Sequence, residues 1–410
     1  MASATSDGRK LFDSMIYREL LKKELDAKLG EFEDFRRLRD ERVEACIEVL
    51  RRLVEFGPGS FGNASYPGAI PSAEVTECAG FAVRGGFEWQ NHAEAREWAS
   101  SVLNSRTTFA ADGSQIYLGK EMDLPVGAIQ VGWFENPHDA SKSYVKQARF
   151  EILGPNDLLI PSDENLNPEA RVGARRFHAE VEVVREFLFA KKGWRERGER
   201  MPVAFFDGTL LISFALPHTK LQQEFAQTMA KLVKDSEVAG VPLVGFVDRS
   251  LSRDLIALIS HVEPQIVTDG IYDSMLFPVS GAEKPNEFLG WGDRSAFCFS
   301  KRKGLEVFVP DGEPSVGFVY LATGSKGLPA RIDIPAWIFS EEMLDDLIEV
   351  VLAESVVGLG YPYALETADA TALISFEDRR VFIEALAGME AGFEAAAGFG
   401  RKEISKARRR

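Results

Sequence analysis

Between residues 107 and 247 the hydrophobic period changes from that of strands to that of a helix and back, and the order of the changes leaves few ways to fold the chain. TTFAADGSQIYL (107–118), PVGAIQVGWFE (125–135) and YVKQARFEIL (144–153) read as three strands with short joins, the pattern of an antiparallel meander. A helix follows at about 168–191, carrying Phe177, Val181, Val184 and Leu188 as its apolar stripe. MPVAFFDGTLLIS (201–213) is then a continuous apolar run of the kind buried on both faces of a sheet. A helix over 219–234 leads to a second such run, VPLVGFVD (241–248), and another helix begins at Leu251.

Meander, helix, buried strand, helix, buried strand is the order of a ribonuclease H-like α/β fold, a mixed sheet flanked by helices. The 410 residues leave room for more. Residues 1–56 form an N-terminal helical extension in which Leu25, Leu29, Phe32, Phe35 and Leu38, then Val43, Ile47, Leu50 and Val54, recur at helical spacing. Unbroken, a helix over 11–56 would run about 70 Å at 1.5 Å per residue; Gly30 is where it could fold into a hairpin. Its apolar face predicts a contact surface, for dimerisation or for docking a partner. Residues 57–104 are a Gly/Pro/Ser-rich connection ending in a short helix at 91–103. The α/β domain takes 105–392, with further strands at GLEVFVP, VGFVYLA and ARIDIPAWIF, a helix capped by Ser340 and a last helix near 377–391. Residues 393–410 are a basic tail.

Several function classes are excluded. No G-x-x-x-x-G-K-[ST] or G-x-S-x-G occurs, so neither nucleotide hydrolysis by a P-loop nor a serine elbow is expected. Cys46, Cys78 and Cys298 form no C-x-x-C pair and read as buried thiols. The longest apolar runs, such as VPLVGFV, are too short to span a bilayer, and MASATSDGRKLFDS has no apolar core of a signal peptide, so a cytoplasmic protein is expected, with no membrane. A net charge of −15 argues against a polyanion partner, yet RKEISKARRR carries six Lys/Arg against one Glu, and a site built of acids would itself lower the count.

The acids are where chemistry concentrates. Asp112 in FAADGSQ and Asp207 in AFFDGTL each precede a glycine, and an isolated Asp-Gly is ordinarily a hairpin turn. For Asp207 that reading is weaker, because the residues after it stay apolar and the carboxylate interrupts a buried run, where it is costly unless paired or metal-bound. In the proposed strand order the first and fourth strands adjoin. Asp112 would then face Asp207, with Gly113 and Gly208 permitting close approach of the backbones. Paired carboxylates need a counter-charge, and a divalent cation suits oxygen ligands. On the intervening helix Glu180 lies roughly 70° from the apolar stripe, Glu182 roughly 130° and Glu186 roughly 170°, so only Glu180 flanks the core. Arg176, one turn before, could orient it. Asp369 falls among Leu365, Ala368, Ala372 and Leu373, near Tyr361; on its own it reads as a solvated helix carboxylate. The five histidines show no ligand spacing, although His178 and His218 are near enough in sequence to line the site.

FAADGSQ, Arg176-x-x-x-Glu180, AFFDGTL, PARIDIPAWI and GYPYALETADATALIS, in this order over Arg106–Arg380, resemble the NurA nucleases. The resemblance implies a manganese-dependent deoxyribonuclease, 5′ to 3′ exonuclease and single-strand endonuclease, working as a homodimer docked on a HerA-type hexameric ATPase in DNA end resection and repair at the nucleoid. It implies Asp112, Glu180, Asp207 and Asp369 as ligands of two Mn2+ ions, with Mg2+ as the alternative, and Tyr361 as a fifth member of the catalytic site. Archaeal members carry His where this chain has Asp369, a harder ligand that would favour magnesium relatively more. Two ions about 3.5–4 Å apart would activate a water and stabilise the leaving 3′ oxygen, without a side-chain nucleophile. The rivals are an RNA-cleaving nuclease of the same fold and a non-catalytic adaptor of a DNA translocase.

Overall fold

The computed structural model describes residues 7–390 apart from 58–59, 63, 88, 90, 120–124, 160–166, 213–219 and 280–288. The basic tail and His218 lie outside the described residues. Among those residues eleven strands form one mixed sheet. They are β1 Gly68–Pro71, β2 Ala82–Val83, β3 Thr108–Tyr117, β4 Gly127–Asn136, β5 Val145–Leu153, β6 Val203–Asp207, β7 Leu243–Val247, β8 Arg294–Ser295, β9 Cys298–Lys301, β10 Val316–Leu321 and β11 Ala330–Pro335. The order across the sheet is β1-β9-β10-β11-β7-β6-β3-β4-β5, with β8 paired to β10 and β2 to β8. The meander β3–β5 is antiparallel, while β6 runs parallel to both β3 and β7. The first and fourth predicted strands therefore adjoin as expected.

The helices are α1 Asp7–Arg52, α2 His92–Leu103, α3 Pro155–Leu158, α4 Pro168–Lys191, α5 Lys220–Ala239, α6 Asp254–Val262, α7 Ala336–Ser340, α8 Leu344–Val357, α9 Tyr363–Ala372 and α10 Phe376–Glu390. Asn91 caps α2 by accepting from the Ala93 and Glu94 N–H groups; Asn167 caps α4 ahead of Pro168. Alternate residues of the central strands serve two cores, as a period of two requires. Phe109, Ala111, Ala204 and Phe206 pack towards α4 and α5. Ala110, Val203, Phe205, Val244 and Phe246 pack towards α2, α8 and α9. A third core joins the C-terminal part of α1 to α6 and the β1–β9–β10 edge.

Several local expectations need correcting. Gly30 does not break α1, which is continuous; Leu25, Leu29, Phe32, Phe35 and Leu38 stay exposed, whereas Cys46, Val49, Leu50 and Leu53 are buried. GLEVFVP forms two short 3-10 turns instead of a strand, because Pro310 and the positive φ of Asp311 interrupt any ladder. Ser340 ends α7 instead of capping the next helix; that helix is α8, with Asp345 and Asp346 in its first turn. The 57–72 connection contains β1. Cys46 and Cys298 are buried and Cys78 is half-buried, all as free thiols. Among the described residues no helix is long and apolar enough to cross a membrane.

Candidate functional site

Asp112 lies midway along β3 and Asp207 is the last residue of β6. The parallel register pairs Ala111 with Phe206, which carries Asp112 to the level of Asp207 on the next step. Both continue the strand positions that face α8 and α9. From that side α9 brings Asp369 within hydrogen-bonding reach of the Asp112 carboxyl. Tyr361, in the turn before α9, donates its hydroxyl to Asp207 Oδ1 at 2.8 Å. Asp207 is exposed, not buried as the apolar run around it predicts. The strand ends at that residue, so the aspartate stands at the sheet's edge of solvent while Leu210 and Leu211 turn back into the core.

Glu180 reaches the same charges from the opposite face. It is buried on α4 and lies against Gly113, where a Cβ would collide with its Oε1 and stand 2.9 Å from Arg176 Cγ. The missing side chain is the gap through which a carboxylate from the α4 side approaches Asp112. Arg176 clamps it there, bonding Glu180 Oε1, the Gly113 carbonyl at 3.0 Å and Gln115 Oε1 at 3.2 Å. Glu182 and Glu186 point elsewhere, ion-paired with Arg175 and Arg149. His178 packs against α5, with its ring 5.9 Å from that of Phe225. Gly208 does not serve close approach: a Cβ there would meet nothing within 4 Å, and its φ of +113° shows a backbone role instead.

The electrostatics follow from this crowding. Burial, then the charges of Asp207 and Asp369, push the Asp112 carboxyl up to about 6 against the opposing Gly113 N–H. Burial likewise pushes Glu180 up to about 7, with Asp112 and Asp207 adding to it and Arg176 opposing. Burial and Asp207 also raise the Tyr361 hydroxyl, which stays a donor at neutral pH. The acids act on one another, yet among the described residues no three of His, Cys, Asp and Glu are drawn onto one point. A set of hard oxygen donors, partly desolvated and short of positive charge, fits a divalent cation such as Mn2+ or Mg2+.

Two buried acids that the motif reading left without a role hold this arrangement. Asp333 on β11 accepts from Thr209 Oγ1 and from the Leu210 N–H at 3.1 Å, fixing the loop just after Asp207. Glu354 on α8 accepts from Thr108 Oγ1 at 2.7 Å and from the Ala364 N–H at 2.9 Å, tying the start of β3 to the first turn of α9. The signal was partial: each acid has apolar neighbours on a buried element, but Arg331 and Ser355 stand close by in sequence, and a buried acid is tolerable only when bonded. Gly132, opposite Asp112 on β4, is a further gap. A Cβ there would collide with the Ala372 N and lie 2.6 Å from the Thr371 carbonyl carbon, while Gln130 Nε2 bonds the Thr371 and Ala372 carbonyls. Gly132→Ala should push α9 off the sheet, lower stability by about 1–3 kcal/mol and displace Asp369; thermal melts and nuclease assays of the mutant that match the parent would refute this fit.

The model of the NurA domain matches residues 106–374, which contain every acid of this site. The chain belongs to the NurA nuclease family. Solved structures resembling the NurA chain include a NurA crystal structure (9% identity, 70% of this chain and 89% of that one, TM-score 0.36). Another is a NurA crystal structure with manganese (9%, 71% and 90%, TM-score 0.34). The catalytic domain of human Endonuclease V also aligns (14%, 75% and 92%, TM-score 0.30). No curated protein sequence matches the chain.

Proposed function

We propose that this NurA protein is a manganese-dependent deoxyribonuclease, a 5′ to 3′ exonuclease and single-strand endonuclease that acts as a homodimer with a HerA-type hexameric ATPase in DNA end resection. What carries the reading is the meeting of acids from both faces of the sheet: Asp112, Asp207 and Asp369 on one side, Glu180 through the Gly113 gap from the other. These four would hold the metal, with magnesium as the alternative ion. Bound there, two ions would supply an activated water and charge stabilisation at the leaving 3′ oxygen. The water oxygen forms the new P–O bond as the P–O3′ bond breaks, and a proton released by the water ends on the departing alkoxide. Tyr361 fixes the Asp207 rotamer, and Arg176 keeps Glu180 aimed at the site. The exposed half of α1 is proposed as the dimer or ATPase contact.

The test is degradation of 5′-labelled linear DNA and of matched RNA, with manganese, magnesium or chelator, with and without a HerA-type ATPase. DNA loss that requires the divalent ion and increases with the ATPase is expected. RNA cleaved in preference to DNA would favour the RNA-directed rival. No cleavage under any condition would leave the adaptor reading.

A further inference from the structure

The turn between α8 and α9 holds an apolar side chain at a double cost. Leu359 is 85% exposed, the highest value for a large hydrophobic side chain among the described residues. Its φ is +57°, a left-handed conformation that disfavours a branched side chain and that glycine adopts freely. The turn is locked. The Gly358 N–H donates to the Glu354 carbonyl at 3.0 Å and the Gly360 N–H to the Ser355 carbonyl at 2.7 Å. A Cβ at Gly358 would collide with the Tyr361 carbonyl oxygen, so the chain can close this tightly only with glycine there. A strained backbone and a wetted leucine both cost stability, and a glycine at 359 would remove both costs. Such an outlier points to a function outside the chain's own packing.

Its place says what that function is. Two residues on, Tyr361 bonds Asp207, so the Leu359 backbone lies within about 7 Å of the Tyr361 backbone. That is roughly two nucleotide steps of a stacked strand at ~3.4 Å each. On the neighbouring strand end, Asp248 is close enough to raise the Tyr361 hydroxyl, and the next residue, Arg249, has a side chain 94% exposed. An apolar post close to Tyr361 in sequence and an exposed cation, its Nε 3.9 Å from Asp248 Oδ2, thus stand near the Tyr361–Asp207 pair. A protein contact would need a far broader face, on the order of 800 Å2 per partner, and Leu359 stands between two glycines.

We propose that Leu359 stacks on the nucleobase adjoining the scissile phosphodiester, with Arg249 on the neighbouring phosphate, so that the turn sets the register of a single strand in the site. This rests on the nuclease reading above. The experiment compares the full-length parent, Leu359→Gly and Leu359→Phe in manganese. The substrates are a labelled oligonucleotide, the same oligonucleotide with one abasic residue, and bis(p-nitrophenyl) phosphate, which has no base. Oligonucleotide binding is followed by anisotropy. Leu359→Gly should raise KM and Kd for the intact oligonucleotide about tenfold, the size of one apolar side-chain contact with a base. It should leave bis(p-nitrophenyl) phosphate hydrolysis unchanged and melt no lower than the parent, since glycine relieves the turn. Leu359→Phe should restore binding, and the abasic substrate should erase the difference between variants. Unchanged KM and Kd in Leu359→Gly overturn the proposal, and a change in oligomeric mass alone would make the side chain a protein contact. If the parent binds the oligonucleotide but never cleaves it, the nuclease reading fails while the Kd comparison still decides on Leu359; a parent that neither cleaves nor binds overturns both.

Discussion

Asp207→Asn is expected to lower divalent-dependent DNA hydrolysis on the order of 10³-fold or more, because losing a ligand of the proposed metal site would forfeit several kcal/mol of transition-state stabilisation. The structure makes this a clean test. Asp207 stands exposed at the end of β6, so the amide disturbs no core, and its carbonyl oxygen can still accept from the Tyr361 hydroxyl. Melting temperature should therefore stay at the parent value while manganese affinity, read by calorimetry, falls. Asp112→Asn should lose activity equally but gain heat stability in the absence of metal, since burial and then Asp207 and Asp369 already disfavour its charge. Activity within tenfold of the parent in either mutant would remove these residues from the metal site.

The largest stability effect is expected far from any metal, at Arg331. Its guanidinium is buried on β11, 2.8 Å from Asp254 and 2.7 Å from Asp333, with Asp273 at 3.9 Å and the Phe318 ring centroid 4.0 Å away. Burial alone would raise Asp254, but Arg331 and Arg302 outweigh it and hold its carboxyl below the usual range. Burial, then the Asp254 charge, pushes Asp273 up to about 7, against the Ile256 and Leu255 N–H groups and Arg331. Removing the buried guanidinium that bonds Asp254 and Asp333 leaves only Arg302, on Asp254, to offset these acids, so Arg331→Met should cost about 3–5 kcal/mol. Urea unfolding of the metal-free chain measures it, and a cost below about 1 kcal/mol would mean that the acids simply protonate. Because Asp333 also holds Thr209 and Leu210, surviving Arg331→Met protein should bind metal less tightly.

The sheet was legible where burial and chemistry agree. Val203–Phe206 and Leu243–Phe246 are buried and read as such, and the three meander strands and the short helix after Asn91 fall where their spacing puts them. The site was partly legible, because the Asp-Gly pairs interrupt apolar runs. The errors share a cause. Asp207 was expected to be buried and Ser340 to cap a helix because both inferences used neighbours in sequence, whereas burial and capping depend on where the backbone turns. Gly113 and Gly132 could not be ranked above other glycines in advance: their importance lies in what stands opposite them, Glu180 and the last turn of α9. Asp333 and Glu354 carried only a partial signal, since the hydroxyls that fix them, Thr209 and Thr108, lie more than a hundred residues away in sequence.

That α9 closes over strands made much earlier sets a timetable for the newborn chain. Asp112 and Asp207 leave the ribosome first, and Asp369 follows 162 residues after Asp207 (369 − 207). At about 5–20 residues per second, that is roughly 8–30 s of synthesis. Throughout that interval β3 and β6 can pair while the helix that fits against Gly132 does not yet exist. On the proposed site, the nuclease thus stays inert while everything between β6 and α9 is being made, and it becomes armed only once the helix that carries the last acid has been added.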